Sequence, residues 1–138
     1  MTLESTNTYT LFFDGCSKGN PGKAGAGAVL YKKDIEIWSK TYFVGEKQTN
    51  NYAEYMGLII GLEEAVKQNI SSLKVRGDSL LVIKQMKGEY KVNSPNILEL
   101  YKKASSFARK IKNIEFIHVY RKDNKRADAL SNEALIVN

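Results

Sequence analysis

The chain has 138 residues, 43% of them hydrophobic and 26% charged, which suits one globular domain around one core and excludes a disordered or fibrous polypeptide. A single cysteine, Cys16, excludes an internal disulfide, and with one histidine, His118, the chain cannot supply a Cys/His zinc cluster. The formal net charge of +6 points toward a polyanionic partner, with nucleic acid the first candidate.

Tyr9 to Asp14 reads as a short apolar strand ending on a carboxylate and followed by a Gly/Asn/Pro-rich turn. Residues 24–33 and 35–45 read as two further strands joined at Lys33 and Asp34, so an antiparallel meander opens the fold. The small residues Ala24, Gly25, Ala26, Gly27 and Ala28 would admit another backbone or a large ligand at close range. A loop at Thr49, Asn50 and Asn51 opens a helix to about Gln68, with Asn50 or Asn51 as its expected cap and Ala53, Met56, Ile60, Ala65 and Val66 as its apolar stripe. Leu73 to Asp78 is a fourth strand that again stops at an acid, and Leu81, Val82 and Met86 mark a short helix after it. A longer helix starts at Ser94 and Pro95, with Leu98, Tyr101, Ala104, Ala108 and Ile111 at helical spacing. Ile114 to Tyr120 is the fifth strand, and the last helix carries Asp128 among Ala127, Leu130, Ala134 and Leu135. The order βββαβααβα implies a mixed sheet with helices on its faces, because parallel pairing of strands one and four needs the helix between them as a crossover.

Four acids therefore sit at element edges in distinctive contexts: Asp14 in FFDGCSKGNPG, Glu54 in TNNYAEYMG, Asp78 in VRGDSLL and Asp128 in KRADALSNEA. Carboxylates gathered from distant parts of a fold repel one another unless cations hold them, and hard oxygen ligands favour Mg²⁺ or Mn²⁺ over zinc or copper. The chemistry this suggests is phosphoryl transfer. Cys16 is a poor nucleophile candidate, since the neighbouring Asp14 charge disfavours its thiolate and no base is placed for it. Phe12, Phe13, Trp38, Tyr42 and Phe43 fall on strands and read as core or sheet surface rather than as base-stacking platforms.

DGCSKGNPG, TNNYAEYMGLIIGLEEA, GDSLLVIKQMKGEY and HVYRKDNKRADALSNEA, in this order, resemble the type 1 ribonuclease H family over nearly the whole chain. The resemblance implies an α/β ribonuclease H-like fold, a five-stranded mixed sheet of order 3-2-1-4-5 flanked by helices, as one domain over residues 1–138 with residues 1–7 a short extension. It implies an endoribonuclease that cuts the RNA strand of RNA/DNA hybrids, leaving 5′-phosphate and 3′-hydroxyl ends. Asp14, Glu54, Asp78 and Asp128 would hold two divalent ions, Mg²⁺ or Mn²⁺; in such sites ions ~3.5–4 Å apart clamp the scissile phosphate, one activating water and the other neutralising the leaving oxygen. By the same resemblance Asp14 bridges both ions, Glu54 and Asp78 serve the leaving-group ion and Asp128 serves the nucleophile's ion.

Backbone groups around Cys16, Ser17 and Gly19, with the side chains of Asn20 and Asn51, are implied for minor-groove and 2′-hydroxyl contacts, and Thr49 and Asn50 for the DNA strand. These residues also have plain turn and helix-capping roles, and either role is compatible with binding. The auxiliary catalytic position has two candidates: His118, ten residues before Asp128, and Arg121, the arginine of a compact HV-x-R pattern. Arginine stays protonated at neutral pH, so its help would be electrostatic. Two departures stand out. Leu80 occupies a position where many members carry glutamine, and the basic protrusion of larger members is replaced by the short KGEYKVNSPN segment. Hybrid affinity would then rest on dispersed lysines such as Lys84, Lys87 and Lys91 or on residues near the carboxyl end. The contrasting reading is a non-catalytic module that binds RNA/DNA hybrid or double-stranded RNA on the same fold. The expected partner is an RNA/DNA hybrid, the expected state a monomer. No apolar run of about 18 residues and no basic-fronted apolar stretch occurs, so the expectation is an intracellular protein without a membrane span: bacterial or archaeal cytosol, or nucleus or cytoplasm in a eukaryotic or viral setting.

Overall fold

The computed structural model describes residues 8–136, so the expected extension at residues 1–7 lies outside the described residues. The chain runs β1 (Tyr9–Lys18), β2 (Gly22–Lys32), β3 (Ile35–Gln48), α1 (Asn50–Lys67), β4 (Ser72–Gly77), α2 (Leu80–Met86), α3 (Pro95–Ala108), β5 (Asn113–His118) and α4 (Lys125–Ile136). The strands form one sheet of order β3-β2-β1-β4-β5, as the resemblance implies. β1, β2 and β3 pair antiparallel, while β1 with β4 and β4 with β5 pair parallel. The parallel pairs need crossovers, and α1 supplies the first while α2 and α3 supply the second.

One face of the sheet carries the main core. Leu11 and Phe13 of β1, Ala28 and Leu30 of β2 and Leu73 and Val75 of β4 pack with Leu58 and Leu62 of α1 and with Ile97, Ala104 and Ala108 of α3. Side chains of this size contribute roughly 1.5–3 kcal/mol each when fully buried. On the other face α4 packs through Ala127 and Leu130 against Val29, with Phe12 and Tyr31 at its margin. The small-residue run in β2 finds its explanation here. A Cβ at Gly27 would lie 2.6–2.7 Å from Leu130 Cβ and the Ala127 carbonyl, so α4 can sit this close only over glycine.

Several sequence expectations need correcting at the level of single residues. β1 does not end at Asp14 but continues to Lys18, because Asp14 to Lys18 keep pairing with β2 after the parallel ladder to β4 has stopped at Phe13. β5 stops at His118 rather than Tyr120, where its partner β4 also runs out. The cap of α1 is Thr49, whose hydroxyl accepts from the Tyr52 N–H at 3.1 Å, and not Asn50 or Asn51. Helix α1 is enclosed on more than one side, so Tyr55, Leu58 and Leu62 are buried beside the expected Ala53 and Ala65. In α2 the buried residues are Val82, Ile83 and Gln85, while Leu81 is exposed; in α3 Ile97 rather than Leu98 is the buried first-turn residue.

Candidate active site

The parallel ladders β1–β4 and β4–β5 end at Phe13, Gly77 and His118, and the next residues of these strands meet at one edge. Asp14 follows Phe13 and Asp78 follows Gly77, so strand pairing alone brings two carboxylates together at the carboxyl ends of the parallel strands. This is where open α/β sheets bind ligands. Glu54 arrives from the first turns of α1, which lies unusually close to β1: a Cβ at Gly57 would stand 2.5 Å from the Asp14 carbonyl oxygen. One carboxylate oxygen from each of Asp14, Glu54 and Asp78 falls within 4.8 Å of the others.

Asp128, in the first turn of α4, lines the same cavity but stands outside that tight group. The cavity is open, holds about 470 Å³, and is lined also by Cys16, Ser17, Asn50, His118 and Arg121. Gly19, Asn20, Thr49 and Asn51 lie outside its lining, on the flank. Two hydrogen bonds join the flank into one surface: the Asn50 N–H donates to Asn20 Oδ1 at 2.8 Å, and Ser17 Oγ donates to the Gln48 carbonyl at 2.6 Å. Of the auxiliary candidates, Arg121 places its guanidinium 4.0 Å from Asp128 Oδ1, and His118 sets its ring edge-on to Tyr120 at 5.6 Å.

The electrostatics of the acid group record its crowding. Burial first, then the charge of Asp78 and, more weakly, a hydrogen bond to the Asp128 carboxylate push the Asp14 carboxyl up to about 7, against the opposing pull of hydrogen bonds from Glu54 and the Gly15 backbone. Glu54 is raised well above the usual carboxylate range, by burial first and then by the charge and hydrogen bond of Asp14. The Asp14 and Glu54 carboxyls therefore share a proton when no cation is present. Glu54 Oε1 is enclosed and has no hydrogen-bond partner. Three carboxylates offering hard oxygen donors at this spacing, one of them with an enclosed oxygen that has nothing to accept from, fit a divalent cation of the Mg²⁺ or Mn²⁺ type.

Two asparagines in this region escaped the sequence analysis. Asn124 is only 1% exposed, and its Nδ2 donates to the Phe13 carbonyl at 3.0 Å, clamping the loop before α4 onto β1 beside Asp14. Asn132 lines the cavity and donates to Asp128. Its signal was present, since it lies four residues after Asp128 and so on the same helical face. Asn124 had no such signal, because its partner is 111 residues away.

The family model described as "Reverse transcriptase-like" matches residues 12–134. A bifunctional protein of Mycobacterium tuberculosis is 43% identical over 123 residues, covering 88% of this chain and 34% of that protein, so the chain spans about a third of the length of this curated relative. The crystal structure of RNase H1 from Halobacterium salinarum superimposes with a TM-score of 0.90 at 37% identity, covering 96% of this chain and 100% of that one. LC11-RNase H1, solved in complex with an RNA/DNA hybrid, gives 0.85 at 34% identity, covering 93% and 96%.

Proposed function

This chain belongs to the reverse transcriptase-like family and, within it, to the ribonucleases H, and from that premise we propose that it is a metal-dependent endoribonuclease that hydrolyses the RNA strand of RNA/DNA hybrids. The observation that carries the reading is the group of Asp14, Glu54 and Asp78 with one carboxylate oxygen each within 4.8 Å, beside the enclosed and unpartnered Oε1 of the Glu54 carboxylate. A protein that only bound a polyanion would gain nothing from setting these acids beside a phosphate backbone, which disfavours the non-catalytic module.

Asp14, Glu54, Asp78 and Asp128 are the residues that would hold Mg²⁺, or Mn²⁺, as a pair of ions with substrate bound. Such ions supply positive charge at the scissile phosphate and at the attacking water. In the reaction, a water oxygen bonds to phosphorus and the bond from phosphorus to the 3′ oxygen breaks, leaving a 3′-hydroxyl and a 5′-phosphate. The Asp14 and Glu54 carboxyls must give up the proton they share before the group can bind cations, so acid pH opposes loading. The Arg121 guanidinium, beside Asp128, adds fixed positive charge at the cavity rim; His118 is the group able to carry a proton to or from the reacting oxygens.

Hybrid recognition is assigned to the flank formed by Cys16, Ser17, Gly19, Asn20, Thr49, Asn50 and Asn51. Asn20 and Asn50 are locked to one another, which presents the two segments as one rigid reader of ribose on one strand and deoxyribose on the other. Lys84 and Lys87 are both paired with Glu89, at 3.0 and 3.5 Å, and so are weaker candidates for phosphate contacts than their count suggests. No helix among the described residues is long and apolar enough to cross a membrane. We assign the activity to one domain over residues 1–138, acting as a monomer in the cytoplasm. The direct test is cleavage of strand-labelled RNA/DNA, DNA/DNA and RNA/RNA duplexes with Mg²⁺, using Asp78→Asn as the contamination control. Cutting confined to the hybrid's RNA strand and lost in the variant supports the reading; hybrid binding without cutting in Mg²⁺ or Mn²⁺ replaces it with the binding module.

A further inference from the structure

Asp128 differs from the other three acids in how it is held. Asn132, one turn later on α4, donates its side-chain NH₂ to the Asp128 carbonyl at 2.9 Å and to Asp128 Oδ1 at 3.3 Å. At its other end, Asn132 Oδ1 accepts a weak hydrogen bond from the Cys16 thiol at 3.9 Å, which ties α4 to β1 two residues beyond Asp14. These partners fix the amide's orientation, because a carbonyl and a carboxylate only accept and the NH₂ alone can face them. The Arg121 guanidinium approaches the same Oδ1 at 4.0 Å. Both contacts thus fall on one oxygen, Oδ1, and the carboxylate also takes a hydrogen bond from the Asp14 carboxyl, which turns it toward the acid group. Asn132 is half-buried and lines the cavity, so it is placed between the acid and the sheet rather than on open surface.

Resting on the metal-dependent reading of this cavity, we propose that Asn132 is the positioning residue of the fourth carboxylate: its amide holds Oδ1, keeps the carboxylate turned toward the acid group, and thereby sets how tightly the cavity takes a divalent ion. Without that amide, an acid near a helix start samples more rotamers, only some of which face its partners. Groups that orient a ligating side chain in this way typically change metal affinity or activity by about 10–100-fold when removed. Cys16 contributes by holding the far end of the amide, which prevents the Asn132 side chain from turning away.

The test compares Asn132→Leu, of similar volume without donors, with Asn132→Gln, which keeps an NH₂ donor. Mn²⁺ binding to the protein alone is followed by calorimetry, and hybrid cleavage is followed as a function of Mn²⁺. Asn132→Leu is expected to weaken Mn²⁺ binding and to raise the Mn²⁺ needed for half-maximal cleavage by about tenfold or more. The KM for hybrid at saturating Mn²⁺ should stay within about twofold, because the amide touches no substrate in this scheme. Asn132→Gln should recover most of the loss. An unshifted Mn²⁺ titration in Asn132→Leu, even with a lowered melting temperature, overturns the proposal and leaves Asn132 a packing residue. A glutamine variant that behaves like the leucine variant removes the donor from the argument and overturns it as well. Mn²⁺ binding that depends on Asn132 in a protein that cuts no hybrid would support the positioning role while refuting the nuclease reading.

Discussion

Replacing Asp14 by asparagine should stabilise the ion-free protein at neutral and alkaline pH while destroying its response to Mg²⁺. The Asp14 carboxyl is 4% exposed and is pushed from 3.8 up to about 7. Its pKa is higher folded than unfolded, so the native state binds more protons than the unfolded chain between those values, and stability falls as pH rises through that window. At ~1.36 kcal/mol per pH unit, three units amount to about 4 kcal/mol, which is a ceiling because water reaching the open cavity screens part of the charge. An asparagine has no charge to bury, so Asp14→Asn should exceed the wild type by about 1–3 kcal/mol near pH 8 and by little near pH 4. For a domain of this length that is a rise of roughly 4–12 °C in melting temperature. The assay is thermal unfolding in chelator at both pH values, repeated with Mg²⁺. The wild type should gain stability from the ion near pH 8, since a cation that binds only the folded state adds to stability by mass action, and the variant should gain far less. A variant equally destabilised at both pH values would show that Asp14 is held by its hydrogen bonds rather than crowded by its charges, and the reasoning would fail.

Other substitutions probe how the site is positioned. Gly57→Ala places a methyl 2.5 Å from the Asp14 carbonyl, so α1 must lift; we expect a loss of about 1–3 kcal/mol in denaturant unfolding and at least tenfold in hybrid cleavage, and an unchanged protein would contradict the close approach. Tyr55→Phe removes the hydroxyl that donates to Gln85 Oε1 at 2.7 Å in the core, and the stranded acceptor should cost about 1–3 kcal/mol by the same measurement. Thr49→Ala removes the cap of α1, with an expected loss of about 1 kcal/mol. If Thr49 also touches the hybrid, its KM will rise with little change in kcat. Separating the two flank segments by Asn20→Ala, which deletes the acceptor of the Asn50 N–H, should raise the KM for hybrid and leave Mn²⁺ binding unaltered, as judged by calorimetry.

Strand and helix identities were legible because apolar spacing is a local property. Tyr9 to Phe13, Leu73 to Val75 and Ile114 to Ile117 are short β-rich runs beside turn residues, and they fold as strands. Boundaries were less legible where a neighbour decides them. Nothing local tells β1 to continue past Asp14, but β2 still offers partners out to Lys23, and the strand follows them. Helix burial misled for a related reason: α1 is packed by the sheet and by α3 together, so its buried residues exceed any single stripe.

Family and element order could be read from the chain alone, and so could the choice of four acids as candidates, because each motif is a short local stretch that carries its own chemistry. Which acids meet depends on packing. Parallel pairing ends at Phe13 and Gly77, and the glycine approach of α1 then brings Asp14, Asp78 and Glu54 into one group, while the Asn132 and Arg121 contacts hold Asp128 beside it. The raised pKa values of Asp14 and Glu54 belong to the same category, since they arise from desolvation and from charges supplied by other elements. Residue type is written along the chain, but distance between residues far apart in it is set by the packing of one element on another.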